Sequence, residues 1–330
     1  MMILSPKALE VGQAETYFEE HYSHDDYYTE GRKVAGHWFG RGAEALGLNG
    51  EVSRADFSAL LKRVNPSNGS VVVPAAAHNQ KHRAGWDGVF SAPKSISVQA
   101  LVGEDHRLID AHRRAVEKAL IEVEKYALSR QRADQESVIT GNVVAARFDH
   151  IVARPSENAP KDRAPDPQLH THVVFLNLTR RPDSQWHALD PQDIYRSQVY
   201  ATAVYRAELA RAVERLGYRI ARVCAQRCVG VEGYSCKHVM AFSVRRQDIQ
   251  DRMAEAGLEG AAAQLIAYKT RQSKQQLSEK ELVIEWRQRA ATYGLDAHRI
   301  GMAATERGPA AEEGAEVIDQ AVRFSHLHNT

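Results

Sequence analysis

The sequence predicts an α+β fold in which helices cover a central antiparallel β-sheet. Residues 169 to 178, LHTHVVFLNL, place apolar side chains on both faces of a strand, which is typical of a sheet with a layer on each side. Residues 138 to 150 also read as a strand, and a polar, proline-rich loop is expected to join the two as antiparallel neighbours. Over residues 104 to 130 apolar side chains recur at helical spacing, so this segment is expected to cover the sheet as a long helix.

Three histidines are expected to meet where these two strands adjoin. His170 and His172 leave the same face of their strand, and His150 stands at the end of the preceding one. Antiparallel pairing would therefore place His150 beside the other two. Three neutral imidazoles suit Zn, Ni, Cu or Mn and leave coordination positions open for an oxygen atom of a substrate. The alternative is that these are hydrogen-bonded core or surface histidines without a metal.

The chain has 330 residues, and its composition is typical of a globular protein with one large domain or two. The 43 Lys and Arg residues nearly balance the 42 Asp and Glu residues, so a polyanion would have to bind to local basic patches. No apolar run approaches the roughly 20 residues of a membrane span, and the first residues lack signal-peptide features, so a cytoplasmic location is expected. Three cysteines, all between Cys224 and Cys236, are too few for a disulfide framework, and with His238 their spacing fits no common zinc motif.

The N-terminal segment concentrates tyrosines in polar surroundings. Ser5 is expected to cap a helix that runs to about residue 20, and four tyrosines fall within residues 17 to 28 among Glu, His and Asp. Phenols without apolar neighbours suggest chemistry or base stacking, whereas the alternative is the end of a plain amphipathic helix. On one straight helix Tyr17 and Tyr27 would lie about 15 Å apart, so they would act in sequence unless the segment bends. At neutral pH a phenol attacks only with the help of a base or a Lewis acid.

A basic arm is predicted near residues 70 to 90. The pattern there reads as two strands around a polar turn that carries Asn79, Lys81 and Arg83. A two-stranded arm of this kind can enter a DNA groove, and the alternative is a solvated hairpin tip.

Asp87 lies in the second strand of this arm, between the apolar and aromatic neighbours of GWDGVF. An unpaired carboxylate would be costly there, so a partner is expected. Asp87 is interpreted either as the hydrogen-bond acceptor of a metal-ligating histidine or as the base for a tyrosine. Pro93 then ends the strand, and a helix is expected to begin near Lys94.

Several motifs, in this order along the chain, resemble one known family. They are Tyr17 with the later Tyr27-Tyr28 pair, GWDGVFSAPKS, RFDH followed by DPQLHTH, QWHALDPQDI and AFSVRRQDI. Together they resemble the relaxase domain of the TrwC/TraI-type (MobF) conjugative relaxases, within the HUH endonucleases, over nearly the whole chain. The resemblance implies a central antiparallel sheet, the HUH or ferredoxin-like palm, flanked by helices and followed by a C-terminal α-helical fingers or lid region.

The activity that the resemblance implies is site- and strand-specific nicking of plasmid transfer-origin (oriT) DNA in conjugation. The reaction is a metal-dependent tyrosine transesterification that gives a 5′-phosphotyrosyl adduct and a free 3′-OH, with later rejoining. Carried over by position, the metal ligands would be His150, His170 and His172, and the catalytic residues would be Tyr17, Tyr27, Tyr28 and Asp87. The DNA-contacting side chains would be Asn79, Lys81, Arg83, Lys94, Arg154, Arg245, Arg246, Lys269, Arg271 and Lys274.

The first tyrosine position departs from the family pattern. Phe18 follows Tyr17 where many relatives have another tyrosine, so Tyr17 is expected to be the only nucleophile there. Tyr27 and Tyr28 match the second group, which serves the later strand-transfer step.

The resemblance also implies a domain division, a cofactor and partners. The palm would span residues 1 to 238 with the basic ribbon near 70 to 90, the fingers 239 to 300, and a tail towards an absent helicase domain 301 to 330. No G-x-x-x-x-G-K-[ST] loop occurs, so no nucleotide is expected. The cofactor would be one divalent metal ion, Mg or Mn in the cell and Zn, Ni or Cu in crystals.

The expected partners are single-stranded and hairpin DNA of a plasmid transfer origin, accessory relaxosome proteins and a type IV secretion coupling protein, without membrane insertion. The protein would act in the cytoplasm of a bacterial donor cell and pass to the recipient with the DNA. Two kinds of alternative remain. One is a rolling-circle replication initiator or transposase of the HUH type. The other is a DNA-binding module without catalysis, or a phosphodiesterase that uses metal-bound water.

Overall fold

The computed structural model describes residues 1–5, 7–12, 36–73, 83–130, 136–155, 163–224, 228–257 and 278–309. The strands in these ranges are β1 Met2–Leu4, β2 Leu9–Glu10, β3 His37–Phe39, β4 Arg83–Ser91, β5 Leu128–Ser129, β6 Val138–Ile139, β7 Ala145–Val152, β8 Pro167–Leu176, β9 Thr179–Arg180, β10 Trp186–His187, β11 Leu189–Asp190, β12 Ile220–Cys224 and β13 Cys228–Val231. The helices are α1 Arg41–Ala45, α2 Arg54–Leu61, α3 Lys94–Leu101, α4 Arg107–Glu124, α5 Gln192–Arg196, α6 Gln198–Arg215, α7 Cys236–Ala241, α8 Val244–Glu255, α9 Glu279–Thr292 and α10 Ala297–Arg307.

A six-stranded antiparallel sheet forms the centre of the fold. Its strand order is β1-β4-β8-β7-β3. The short strand β2 pairs with the first residues of β4, whereas β1 pairs with later residues of β4. The longest strands, β4, β7 and β8, lie side by side in the middle of the sheet. The prediction that the strands carrying His150 and His170 are antiparallel neighbours is confirmed, since these two residues face each other across the β7–β8 ladder.

Both faces of the sheet are covered, because side chains of β8 alternate between two apolar cores. On one face Val173 and Phe175 pack in a core with α3, α4 and α6. On the other face Val174 and Leu176 pack in a core with residues of α2 such as Leu61. The α+β fold class predicted from the sequence is therefore confirmed.

Three predicted elements differ in their bounds. Residues 138 to 150 form two strands, because Gly141 adopts φ +60° and β6 pairs with β5 in a separate sheet. The helix over residues 104 to 130 ends at Glu124, since the chain then turns into β5. The helix predicted from Ser5 is wrong at its start: the Ser5 amide donates to the Asp87 carbonyl, which continues the β1–β4 ladder, and residues 9 and 10 form β2.

Helices near the C-terminus share the core of the sheet. Leu282, Trp286 and Ala290 of α9 and Ala304 of α10 are buried in the same cluster as the α4 and α6 side chains. Trp286 is 1% exposed and is among the largest side chains of this core. The domain division at residues 239 and 301 stays a prediction, and residue 301 lies within α10. Among the helices that the structure describes, none has the length and apolar character that crossing a bilayer requires.

We expect Gly217→Ala to loosen the packing of α10 on the fold. Gly217 has φ +89°, and a Cβ built there would lie 2.0 Å from the carbonyl oxygen of Ala304. The overlap and the left-handed backbone together should lower the free energy of unfolding by about 1–3 kcal/mol in a urea titration. Gly47→Ala is the matched control, since Gly47 has φ +74° with no atom near its Cβ position. Equal losses in the two variants would show that the contact with α10 contributes nothing.

Candidate metal centre

The three predicted histidines form a compact triangle at one end of the sheet. His150 lies opposite His170 in the β7–β8 register, and His172 is two residues further along the same face of β8. The ring centroids are 5.1 Å apart for His150–His170, 5.1 Å for His150–His172 and 5.2 Å for His170–His172. One ligand nitrogen from each ring lies within 4.8 Å of the other two, so a single ion can be held by all three.

Hydrogen bonds on the far side of two rings orient their remaining nitrogens. Nδ1 of His170 lies 2.9 Å from the carbonyl oxygen of Gln168, and Nδ1 of His172 lies 3.1 Å from both carboxylate oxygens of Asp87. A carbonyl and a carboxylate only accept, so Nδ1 of each ring donates, and Nε2 is the nitrogen left for an ion. This is the arrangement that metal-ligating histidines require, so the residues fit a divalent ion.

Burial also suits His170 to the predicted role of a metal ligand. Burial, and then the neighbouring His172, lower the pKa of His170 to about 3. The imidazole is therefore neutral at pH 7, as metal coordination requires.

Asp87 reaches this site from β4. It pairs with Val174 in the β4–β8 register, and its carboxylate bonds to His172 across the strands. The structure thus provides the partner that the sequence predicted for Asp87, since its carboxylate accepts a hydrogen bond from His172. A role as the base for a tyrosine stays a prediction.

We expect Asp87→Ala to weaken divalent-metal binding by roughly 10–100-fold, the usual effect of losing the group that orients a ligand histidine. Titration calorimetry with Ni²⁺ measures the change. Asp110→Ala is the control, because it also removes one negative charge but from a side chain that is 63% exposed on α4. Unchanged affinity in Asp87→Ala would mean that His172 is oriented by other contacts.

A second chain of hydrogen bonds holds β8 from its opposite face. The Thr171 hydroxyl donates to the Asp149 carboxylate at 2.6 Å, and Arg113 forms an ion pair with the same carboxylate at 2.8 Å. Since the Thr171 proton is used, Nε2 of His112 donates to Thr171 at 3.0 Å and its Nδ1 accepts from the Tyr205 hydroxyl at 2.8 Å. Burial lowers the pKa of His112 to about 4, so the ring is neutral at pH 7. Sequence reasoning missed this network because its members come from four distant segments.

The other predicted site residues lie at varied distances from the triangle. The ammonium of Lys94, at the start of α3, donates to the Pro167 carbonyl at 2.9 Å, three residues before His170. Arg154 follows the end of β7, and Arg245 of α8 donates to the neighbouring Pro155 carbonyl at 3.5 Å. Arg246 is exposed on α8, and Arg83 is exposed at the end of β4 remote from the histidines. Tyr17, Tyr27, Tyr28, Asn79, Lys81, Lys269, Arg271 and Lys274 lie outside the described residues.

An antiparallel palm that carries an H-x-H pair beside a third histidine is the arrangement expected for the class of HUH endonucleases. Comparison with known proteins then identifies the family. The model of the TrwC relaxase family matches residues 11–293, and the chain belongs to this family.

The multifunctional conjugation protein TraI of Escherichia coli (strain K12) is 35% identical over 326 residues, which cover 93% of this chain and 17% of TraI. The chain therefore spans about a sixth of the length of the curated relatives it matches. Two similar solved structures are the conjugative relaxase TrwC with oriT DNA in a copper-bound form and TrwC with a 27-mer DNA that comprises the recognition hairpin and the cleavage site. They have 35% and 33% identity and TM-scores of 0.75 and 0.73, and both matches cover 90% of this chain and all of the other.

Proposed function

We propose that this chain is a conjugative relaxase domain that nicks one strand of a plasmid transfer origin by tyrosine transesterification. The observation that carries the proposal is the triangle of imidazoles in which outer hydrogen bonds orient two Nε2 atoms. It occurs in a chain of the TrwC relaxase family. A site of this kind suits a substrate oxygen that carries charge, such as a phosphodiester oxygen.

The proposed roles divide between the histidines, the tyrosines and Asp87. His150, His170 and His172 hold a divalent ion, which supplies Lewis-acid polarisation of the scissile phosphate when bound. Asp87 keeps the His172 ring in place, and its position against Nδ1 favours this role over that of a general base.

The reaction itself exchanges one ester for another. The Tyr17 hydroxyl loses its proton as its oxygen bonds to phosphorus, the P–O3′ bond breaks, and the leaving oxygen takes up a proton to become the free 3′-OH. The phosphodiester energy is retained in the phosphotyrosine, so rejoining requires no nucleotide. Tyr27 or Tyr28 serves the later strand transfer.

The DNA is bound around this centre by basic segments before and after it. Asn79, Lys81 and Arg83 belong to the ribbon of a palm over residues 1 to 238, and the basic residues of 239 to 300 belong to the fingers. The solved TrwC complexes with oriT DNA support single-stranded and hairpin DNA as the substrate. The proposed protein partners are accessory relaxosome proteins and a secretion coupling protein. The proposed site of action is the cytoplasm.

A denaturing gel tests this proposal. The protein is incubated with a 3′-labelled single-stranded oligonucleotide from the cognate transfer origin, with and without Mn²⁺. We expect a metal-dependent band in which the labelled fragment migrates with the protein, because the 5′ end of that fragment is joined to tyrosine. A shorter labelled DNA that migrates freely would favour hydrolysis by metal-bound water. Intact DNA that the protein nevertheless retains in a native gel would favour a binding module.

A further inference from the structure

We propose that Trp286 and Arg289 of α9, with Lys94 of α3, are positioning residues for the metal centre. They fix the segment 164–167 that leads into the histidine strand β8. The inference rests on the proposed metal centre and extends it to a helix that lies more than one hundred residues away in the chain.

Four consecutive carbonyl oxygens of this segment each accept a hydrogen bond from a different donor. The bonds are Arg289 Nη2 to Ala164 O at 2.9 Å, Trp286 Nε1 to Pro165 O at 2.8 Å, Ala153 N to Asp166 O at 2.8 Å and Lys94 Nζ to Pro167 O at 2.9 Å. Three of the four donors are side chains from outside the sheet. The prolines at 165 and 167 have no amide proton, so at these residues the backbone can be held only through its carbonyls.

The side chain of Asp166 ties two C-terminal helices to the same segment. Its Oδ1 lies 2.6 Å from Arg289 Nη1, and its Oδ2 accepts from the Val244 amide at the start of α8 at 2.8 Å. The two side chains of the ion pair are only 5% and 6% exposed. A buried ion pair with every oxygen engaged tolerates the loss of neither partner, so this contact fixes the position of the backbone tightly.

The segment matters for the histidines because the β7–β8 register changes beside them. His150 pairs with His170, but the next pair is Val152 with Pro167, so β8 contains one extra residue between the two pairs. A bulge of this kind redirects side chains, and a slip by one residue would turn His170 to the opposite face. Anchoring Pro167 and the residues before it therefore selects the register in which both imidazoles face His150.

Lys94 holds the start of β8 through a buried ammonium that donates to the Pro167 carbonyl. Burial lowers the pKa of Lys94 to about 8, so at pH 7 most of the ammonium remains protonated and can donate to Pro167. The side chain that the sequence assigned to DNA contact thus has a backbone partner at the start of β8.

Trp286→Phe and Arg289→Lys test the proposal with small changes of shape. Phenylalanine keeps an aromatic ring in the core but cannot donate to Pro165, and lysine keeps the charge but not the planar set of donors that reaches Ala164 and Asp166 together. We expect each variant to bind Co²⁺ at least about 10-fold more weakly in the absence of DNA, with a changed visible absorption spectrum of the bound ion. Melting temperatures are measured in parallel, and affinities are compared well below them.

Leu61→Ala is the control for a purely structural role, because Leu61 is fully buried in the core on the sheet face opposite to Trp286. It should lower the melting temperature and leave Co²⁺ affinity and the spectrum unchanged. The proposal is overturned if Trp286→Phe and Arg289→Lys retain the affinity and spectrum of the unaltered protein, or lose no more affinity than Leu61→Ala. Because no DNA is present, these results do not depend on whether the protein forms a tyrosyl adduct.

Discussion

Replacing Tyr17 by phenylalanine is expected to abolish the covalent protein–DNA adduct, a loss of at least about 10³-fold in the rate of its formation. The phenol oxygen is the atom that bonds to phosphorus in the proposed reaction, and phenylalanine has no oxygen to take its place. Phe18 leaves no second tyrosine beside it. The rate is measured on a denaturing gel with Mn²⁺ and a single-stranded origin oligonucleotide.

Tyr22→Phe is the matched control, since it removes a phenol from the same segment that the family pattern does not assign. It should form the adduct at the normal rate. Binding of the oligonucleotide should be equal in both variants, which separates the chemical step from recognition. An adduct that persists in Tyr17→Phe would show that the first nucleophile is another residue, and Tyr27 and Tyr28 would then be tested in turn.

Removing one ligand ring by His170→Ala is expected to reduce metal affinity by more than about 100-fold and to reduce nicking in parallel. The loss of affinity on removing a ligand should be greater than the roughly 10–100-fold loss on removing a group that only orients a ligand. Calorimetry with Ni²⁺ gives the affinity, and the same gel gives the rate. Binding to the origin oligonucleotide in EDTA should be retained, because basic side chains elsewhere contact the DNA in this proposal.

His298→Ala serves as the control, since His298 is exposed on α10 and lies outside the triangle. Full nicking activity in His170→Ala would show that this ring is not needed for catalysis. If DNA binding fell together with metal binding, the variant would have lost more than a ligand, and its thermal unfolding would need to match that of the control.

The metal centre could be predicted because successive side chains of a strand point to opposite faces of the sheet, so every second side chain lies on the same face. His170 and His172 had to share a face, and the loop after His150 made an antiparallel return the simplest connection. The structure confirms the outcome of that reasoning in the direct pairing of His150 with His170. The partner of Asp87 was expected for a different reason, since a carboxylate among apolar neighbours requires one.

The contacts that hold β8 and the segment before it could not be predicted from the sequence, because they join residues that are remote in the chain. Nothing near Asp166 indicates that its carboxylate meets Arg289, which lies 123 residues later. The chain formed by Tyr205, His112 and Thr171 is likewise assembled only by the tertiary fold. Local signals also misled at Ser5, which was expected to cap a helix but continues the β1–β4 ladder, because its amide donates to the Asp87 carbonyl of β4.

The most direct test of the central claim is to locate the attachment site of the DNA by fragmentation mass spectrometry of the trapped adduct. Trypsin leaves residues 8 to 32 as one peptide that contains Tyr17, Tyr22, Tyr27 and Tyr28, so fragmentation must distinguish them. The proposed mechanism predicts a nucleotide 5′-phosphate on Tyr17, formed only when a divalent ion is present and lost in His170→Ala. A nucleotide found on any residue other than Tyr17, or an adduct that forms equally well in EDTA, would contradict it.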